Sequence, residues 1–107
     1  MHIKISPNLA FGLLSAVLLT SAHAQDKDAL YVKSLAATCA NCHGTNGKAV
    51  EGSSVVSIAG LDKAYLAAQM KAFKGGTRPA TIMHQLSKGY SDAQIETLAT
   101  YFAAQKK

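Results

Sequence analysis

The chain has 107 residues, of which 49% are hydrophobic and 16% charged, with a net charge of +5 and two cysteines. This length allows one small domain. The positive charge favours an acidic protein partner or an anionic surface. No long basic block is interleaved with aromatic residues, so we do not expect a nucleic-acid partner.

The N-terminus has the three parts of a secretory signal peptide. Lys4 supplies a positive charge, Leu9 to Leu19 is an almost unbroken apolar run, and Ala22-His23-Ala24 has the small-x-small pattern of a cleavage site. The apolar run is shorter than the roughly 20 residues that a transmembrane helix needs. We therefore predict a signal peptide over residues 1–24, no stable membrane anchor, a single domain over residues 25–107 and a periplasmic location.

The first predicted helix begins near Asp26 and leads into a cysteine motif. Apolar residues recur at helical spacing up to Leu35 and Ala36, and the stretch after them reads Cys39-Ala40-Asn41-Cys42-His43. A C-x-x-C-H sequence is typical of covalent c-type haem attachment. In this interpretation Cys39 and Cys42 bind the haem vinyl groups, and an imidazole nitrogen of His43 is an axial ligand of the iron.

Other interpretations of the motif account for fewer of its residues. A structural zinc site takes four N/S ligands, and the predicted mature chain offers only the two cysteines, His43 and His84. A redox-active C-x-x-C is typical of a βαβ setting, which the sequence does not predict. A plain disulfide is chemically feasible outside the cytoplasm but gives His43 no role.

A loop rich in glycine and serine follows the motif, and a second helix follows the loop. Val55, Val56 and Ile58 interrupt the loop, and we expect them to lay apolar side chains on the haem. The second helix is predicted from about Asp62 to Lys74. It carries an apolar stripe and ends before two glycines.

The sixth iron ligand is sought among the methionines and the remaining histidine. We predict that Met83, in a loop after Pro79, is the ligand, and that Met70 packs in the apolar stripe of the second helix. His84 is the competing ligand. An open site is the other alternative, and it would suit a haem enzyme or gas sensor with His84 as the only candidate acid/base group.

The last predicted helix has the clearest start signal. Ser91 and Gln94 form a capping-box pattern, and an apolar face runs from Ile95 to Phe102. Together the patterns predict an all-α fold with three main helices joined by long loops around one haem.

These residues resemble class I cytochromes c. The resemblance covers roughly Leu35 to Gln105, through the haem motif, Met83 and the start of the last helix at Gly89-Tyr90-Ser91-Asp92. It implies crossed first and last helices, His43 and Met83 as axial ligands, and an exposed haem edge. Many members have a proline ahead of an Ala-Gly-Leu sequence, and its carbonyl orients the haem histidine. Here Ser57–Leu61 has no proline, so a backbone carbonyl of this segment is expected to serve.

The stretch from Arg78 to Asp92 is similar to the haem subunit of flavocytochrome c sulfide dehydrogenase and its single-haem relatives. The resemblance implies a one-electron carrier, or a haem relay subunit whose catalytic flavin lies on a separate flavoprotein that oxidises sulfide. The chain itself would then not be an enzyme. Four basic residues are candidates for a docking ring around the haem edge: Lys48, Lys74, Arg78 and Lys88. An apolar rim around the haem edge would instead favour the bound subunit.

Overall fold

The computed structural model describes residues 27–107, so the predicted signal peptide lies outside the described residues. The chain divides into two units between Tyr31 and Val32, and the described part of the first unit is the helical segment 27–31. The second unit, Val32–Lys107, contains the haem motif and the elements described below.

The second unit is built from helices and loops. Residues 27–43 are helical, and their part in this unit, residues 32–43, is here called α1. A 3₁₀ turn over Thr45–Gly47 follows, then α2 (Lys63–Lys74), α3 (Met83–Ser87) and α4 (Asp92–Ala103). Residues 27–107 contain no strand, so the predicted all-α fold is confirmed. Within this part of the chain, no helix combines the length and the apolar character needed to cross a membrane.

Local capping sets the starts of α2 and α4, and the capping box predicted at α4 is present. The Asp62 carboxylate accepts a hydrogen bond from the backbone N–H of Tyr65, and therefore caps α2. At α4 the Ser91 hydroxyl accepts from the N–H of Gln94, and the Gln94 side chain accepts from the N–H of Ser91. This reciprocal pair satisfies two N–H groups that the helix itself leaves without partners.

The expected position of Met83 in a loop was wrong. Met83 is the first residue of α3, a helix of five residues. So short a helix shows no periodic pattern in the sequence and is marginal on its own in water. It forms here because it packs against α2.

The core lies where α1, α2 and α4 meet. It consists of Ala36, Leu66, Ala67, Ile95, Leu98, Ala99 and Phe102, and half-buried Leu35, Met70 and Tyr101 pack against it. The small side chain of Ala36 is buried, so α1 and α4 lie in the same core. The loop after the haem motif joins this core at Gly60, whose N–H donates to the carbonyl of Phe102 at 2.8 Å.

Candidate functional site

A cavity of about 400 Å³ opens beside the core. Its walls come from α1, the loop before α2, α2 itself, the start of α3 and α4, and they are mainly apolar. The apolar stripe of α2 and the loop residues Val56 and Ile58 all face it. Two of the three loop residues predicted to pack on the haem therefore reach the same space as the stripe, whereas Val55 is not among the residues that line it.

The end of α1 brings part of the cysteine motif to this cavity. Cys39 and His43 line it, whereas Cys42 is exposed and is not among the lining residues. Both cysteines are free thiols. Burial raises the pKa of the Cys39 thiol because desolvation disfavours the thiolate.

The orientation of His43 is fixed by a backbone carbonyl. Its Nδ1 lies 2.7 Å from the oxygen of Val56. A carbonyl only accepts, so Nδ1 carries a proton, and in the neutral ring Nε2 then has a free lone pair. This is the state in which an imidazole binds a metal, and the hydrogen bond increases its basicity. The acceptor precedes the segment Ser57–Leu61 in which a carbonyl was expected.

The loop that carries the Val56 carbonyl is attached to Gly47. The carbonyl of Gly47 accepts from the N–H groups of Ile58 at 2.8 Å and Ala59 at 3.0 Å, and from the Ser57 hydroxyl at 3.0 Å. Gly47 is buried and has a φ of +79°, a conformation that glycine adopts without strain. The turn just after the motif therefore positions the group that orients the histidine.

Two methionines line the cavity. Met83 reaches it from the first residue of α3, and Met70 from α2. The buried hydroxyl of Ser87 contacts both, at 2.6 Å from the carbonyl oxygen of Met83 and 3.7 Å from the sulfur of Met70. No sequence pattern indicates this contact, since serines are seldom fully buried.

His84 takes a different position from its neighbour Met83. It is not among the residues that line the cavity, and its Nδ1 is buried without a hydrogen-bond partner in the described part of the chain. Of these two neighbours, Met83 therefore places its thioether on the cavity wall, and His84 is not part of that wall.

One cation lies in the apolar wall. The guanidinium of Arg78 stacks on the ring of Phe73, 4.6 Å from its centre, and donates a hydrogen bond to the side chain of Gln69. Two of the other basic residues considered for a docking ring are held elsewhere: Lys74 pairs with Asp92 at 2.9 Å, and Lys48 donates to the carbonyl of Lys107 at 3.2 Å.

The donors around the cavity suit a large apolar cofactor that carries a metal. A soft thioether, a neutral imidazole and a thiol line one mainly apolar space, which is the donor set of a c-type haem. Within residues 27–107, no group of three or more His, Cys, Asp or Glu could hold a metal ion, whereas a structural zinc site takes four ligands of this kind. The profile of the family described as cytochrome c matches residues 29–106. The chain belongs to the cytochrome c family. It is a class I c-type cytochrome, with one covalently bound haem c.

Several curated cytochromes are similar to this one. The cytochrome subunit of sulfide dehydrogenase from Chlorobaculum tepidum is 41% identical over 69 residues, which cover 64% of this chain and 60% of that protein. The thiosulfate dehydrogenase electron acceptor of Thiomonas intermedia is 38% identical over 71 residues, covering 66% of this chain and 33% of that protein. Cytochrome c4 of Pseudomonas aeruginosa is 36% identical over 94 residues, covering 88% and 46%. This cytochrome thus spans between a third and about three fifths of the length of these relatives.

Proposed function

We propose that this cytochrome is a periplasmic one-electron carrier whose haem is attached through Cys39 and Cys42, with His43 and Met83 as the axial ligands of the iron. The observation that carries the proposal is the single apolar cavity lined by Cys39, His43 and Met83. The haem supplies a one-electron iron couple, and it brings no proton or atom transfer with it.

The residues of this chain hold and tune that couple. The Val56 carbonyl keeps the proton of His43 on Nδ1 and leaves Nε2 for the iron. A thioether from Met83 favours the reduced state and closes the iron to small ligands. The apolar wall lowers solvent access, which also raises the reduction potential. No proton donor is needed for electron transfer, in keeping with the position of His84 away from the cavity wall.

The surroundings of the cavity favour the bound-subunit form of this function. Val56 and Tyr65 line the cavity and are 67% and 50% exposed, and Ile82, next to Met83, is 56% exposed. Of the four cations considered for a docking ring, only Arg78 reaches the cavity wall. This apolar rim of Val56, Tyr65 and Ile82 suits a partner that remains stably bound. We therefore propose a flavoprotein sulfide dehydrogenase as the electron donor, by similarity to the cytochrome subunit of Chlorobaculum tepidum.

The ligand assignment is tested by Met83→Ala, with Met70→Ala as the matched control on the same cavity. The haem-loaded parent is expected to be low-spin, to show the weak red absorption band of an iron–thioether bond, and to ignore carbon monoxide. Met83→Ala is expected to lose the band, become high-spin and bind carbon monoxide, while Met70→Ala keeps the parent spectrum. Carbon monoxide binding by the parent would contradict the proposal, as would a loss of the band in Met70→Ala alone.

A further inference from the structure

We propose that the hydroxyl of Ser87 is a positioning group for Met83, one that slows and disfavours release of the thioether from the iron. This inference rests on the proposed function, because it takes Met83 as the ligand. Ser87 itself does not line the cavity.

Ser87 is an unusual residue to find fully buried. Ser87 is 0% exposed, and among the residues that the structure describes no other polar or charged residue is classed as buried. A hydroxyl loses its water on burial, which is unfavourable unless it gains a hydrogen bond. Serine is also a poorer helix former than alanine, which would fill nearly the same volume. Helix stability alone therefore does not account for a serine here.

The hydrogen bonds of Ser87 explain the serine. Its hydroxyl donates to the carbonyl of Met83, one turn earlier in α3, at 2.6 Å. The sulfur of Met70 on α2 also lies near this hydroxyl, at 3.7 Å. The hydroxyl has one proton, and the shorter distance assigns it mainly to the Met83 carbonyl. The Met70 sulfur is then a weak second acceptor that packs α2 against this point.

The start of α3 has no side-chain cap, so this contact adds to the packing of α3 against α2 in holding it. The residue before the helix, Ile82, provides no side-chain cap, and α3 is only five residues long. An isolated helix of this length is not stable. The Ser87 hydroxyl therefore holds the backbone of the residue whose side chain is proposed to bind the iron. The same hydroxyl also contacts the sulfur of Met70, the other methionine that lines the cavity.

The test is imidazole binding to the oxidised haem-loaded protein, which competes with Met83 for the iron and is followed by loss of the red absorption band. Ser87→Ala is expected to bind imidazole about five-fold more tightly than the parent, the equivalent of one ordinary hydrogen bond. Ser87→Cys, a weaker donor of similar size, is expected to fall between the two.

Thr97→Val is the matched control. Thr97 donates to the carbonyl of Ala93, also one turn earlier in its helix, at 3.0 Å, and it does not line the haem cavity. Urea unfolding of both variants measures the general loss of stability, and Thr97→Val is expected to change the imidazole affinity by less than about two-fold. An unchanged affinity in Ser87→Ala would overturn the inference, and so would an equal increase in Thr97→Val.

The failure of this inference is distinct from the failure of the proposed function. If Met83→Ala leaves the parent spectrum intact, Met83 is not the ligand, and the proposed function is wrong at that point. If Met83→Ala removes the red band but Ser87→Ala binds imidazole like the parent, only the role of Ser87 is wrong.

Discussion

Replacing Gly47 by alanine tests whether the turn after the haem motif holds the loop that orients His43. Gly47 has a φ of +79°, and a methyl group there would lie 2.7 Å from the side chains of both Ile58 and Phe102. The left-handed backbone costs an alanine about 1–2 kcal/mol. Overpacking of the buried contact adds about 1–3 kcal/mol. Gly47→Ala is therefore expected to lower the free energy of unfolding by about 2–5 kcal/mol, a large share of the 5–15 kcal/mol typical of a domain.

Gly52 supplies the matched control. It has the same φ of +79°, but a methyl group there would meet nothing within 4 Å. Gly52→Ala is therefore expected to lose only the backbone part, about 1–2 kcal/mol. The difference between the two variants isolates the contact with Ile58 and Phe102.

The assay is urea unfolding of both haem-loaded variants, followed by far-UV circular dichroism and by the haem absorption band. Gly47→Ala is expected to unfold at a clearly lower urea concentration than Gly52→Ala. Equal midpoints for the two variants would refute the reasoning, since the close approach at Gly47 would then have no energetic consequence.

Two further predictions concern the surface. Docking through the apolar rim predicts that Tyr65→Ser slows reduction by a flavoprotein sulfide dehydrogenase in the presence of sulfide by several-fold. The matched charge variant Lys88→Gln has little effect, and the rate depends weakly on salt; a steep fall with salt would instead indicate a lysine ring. Hydrogen bonds from Lys71 to Glu96 and from Lys74 to Asp92 lower the pKa of each carboxyl below its ordinary value of 4.5 or 3.8. Their contribution to stability is thus present above those values and is lost as the pH falls through the lowered pKa. Glu96→Gln is therefore expected to be less stable than the parent at neutral pH, and the difference in urea titrations is expected to disappear on acidification. A difference that persists after Glu96 is protonated would contradict this.

The parts of the fold that could be predicted are those with a local signal. The capping box at Ser91 and Gln94 lies within four consecutive residues, and both of its hydrogen bonds are present. The aspartate before α2 and the glycines after it likewise sit next to the helix ends that they define. In each case the residues that make the interaction are neighbours in the chain, so the sequence pattern contains the whole interaction.

The short helix α3 could not be predicted because its stability is not local. Pro79 and the absence of a periodic pattern indicated a loop, and the helix forms through packing on α2, which includes the contact between the Ser87 hydroxyl and the sulfur of Met70. The exposed position of Cys42 and the pairing of Lys74 with Asp92 also depend on how distant segments meet. A side chain's type indicates what it can bind, but its partner across 18 residues depends on the fold.

At the candidate site, the side chains that bind could be predicted from the sequence, but the backbone groups that orient them could not. The chemical groups proposed to bind haem could be named from the sequence, because thiol, imidazole and thioether belong to particular residue types. The groups that orient them are the carbonyls of Gly47, Val56 and Met83, which every residue type possesses. The resemblance indicated the segment directly after Val56, but no residue pattern identifies the individual carbonyl. It follows that Ser87→Ala, at a position that touches neither thiol nor imidazole, is expected to change ligand exchange at the iron through the backbone of Met83.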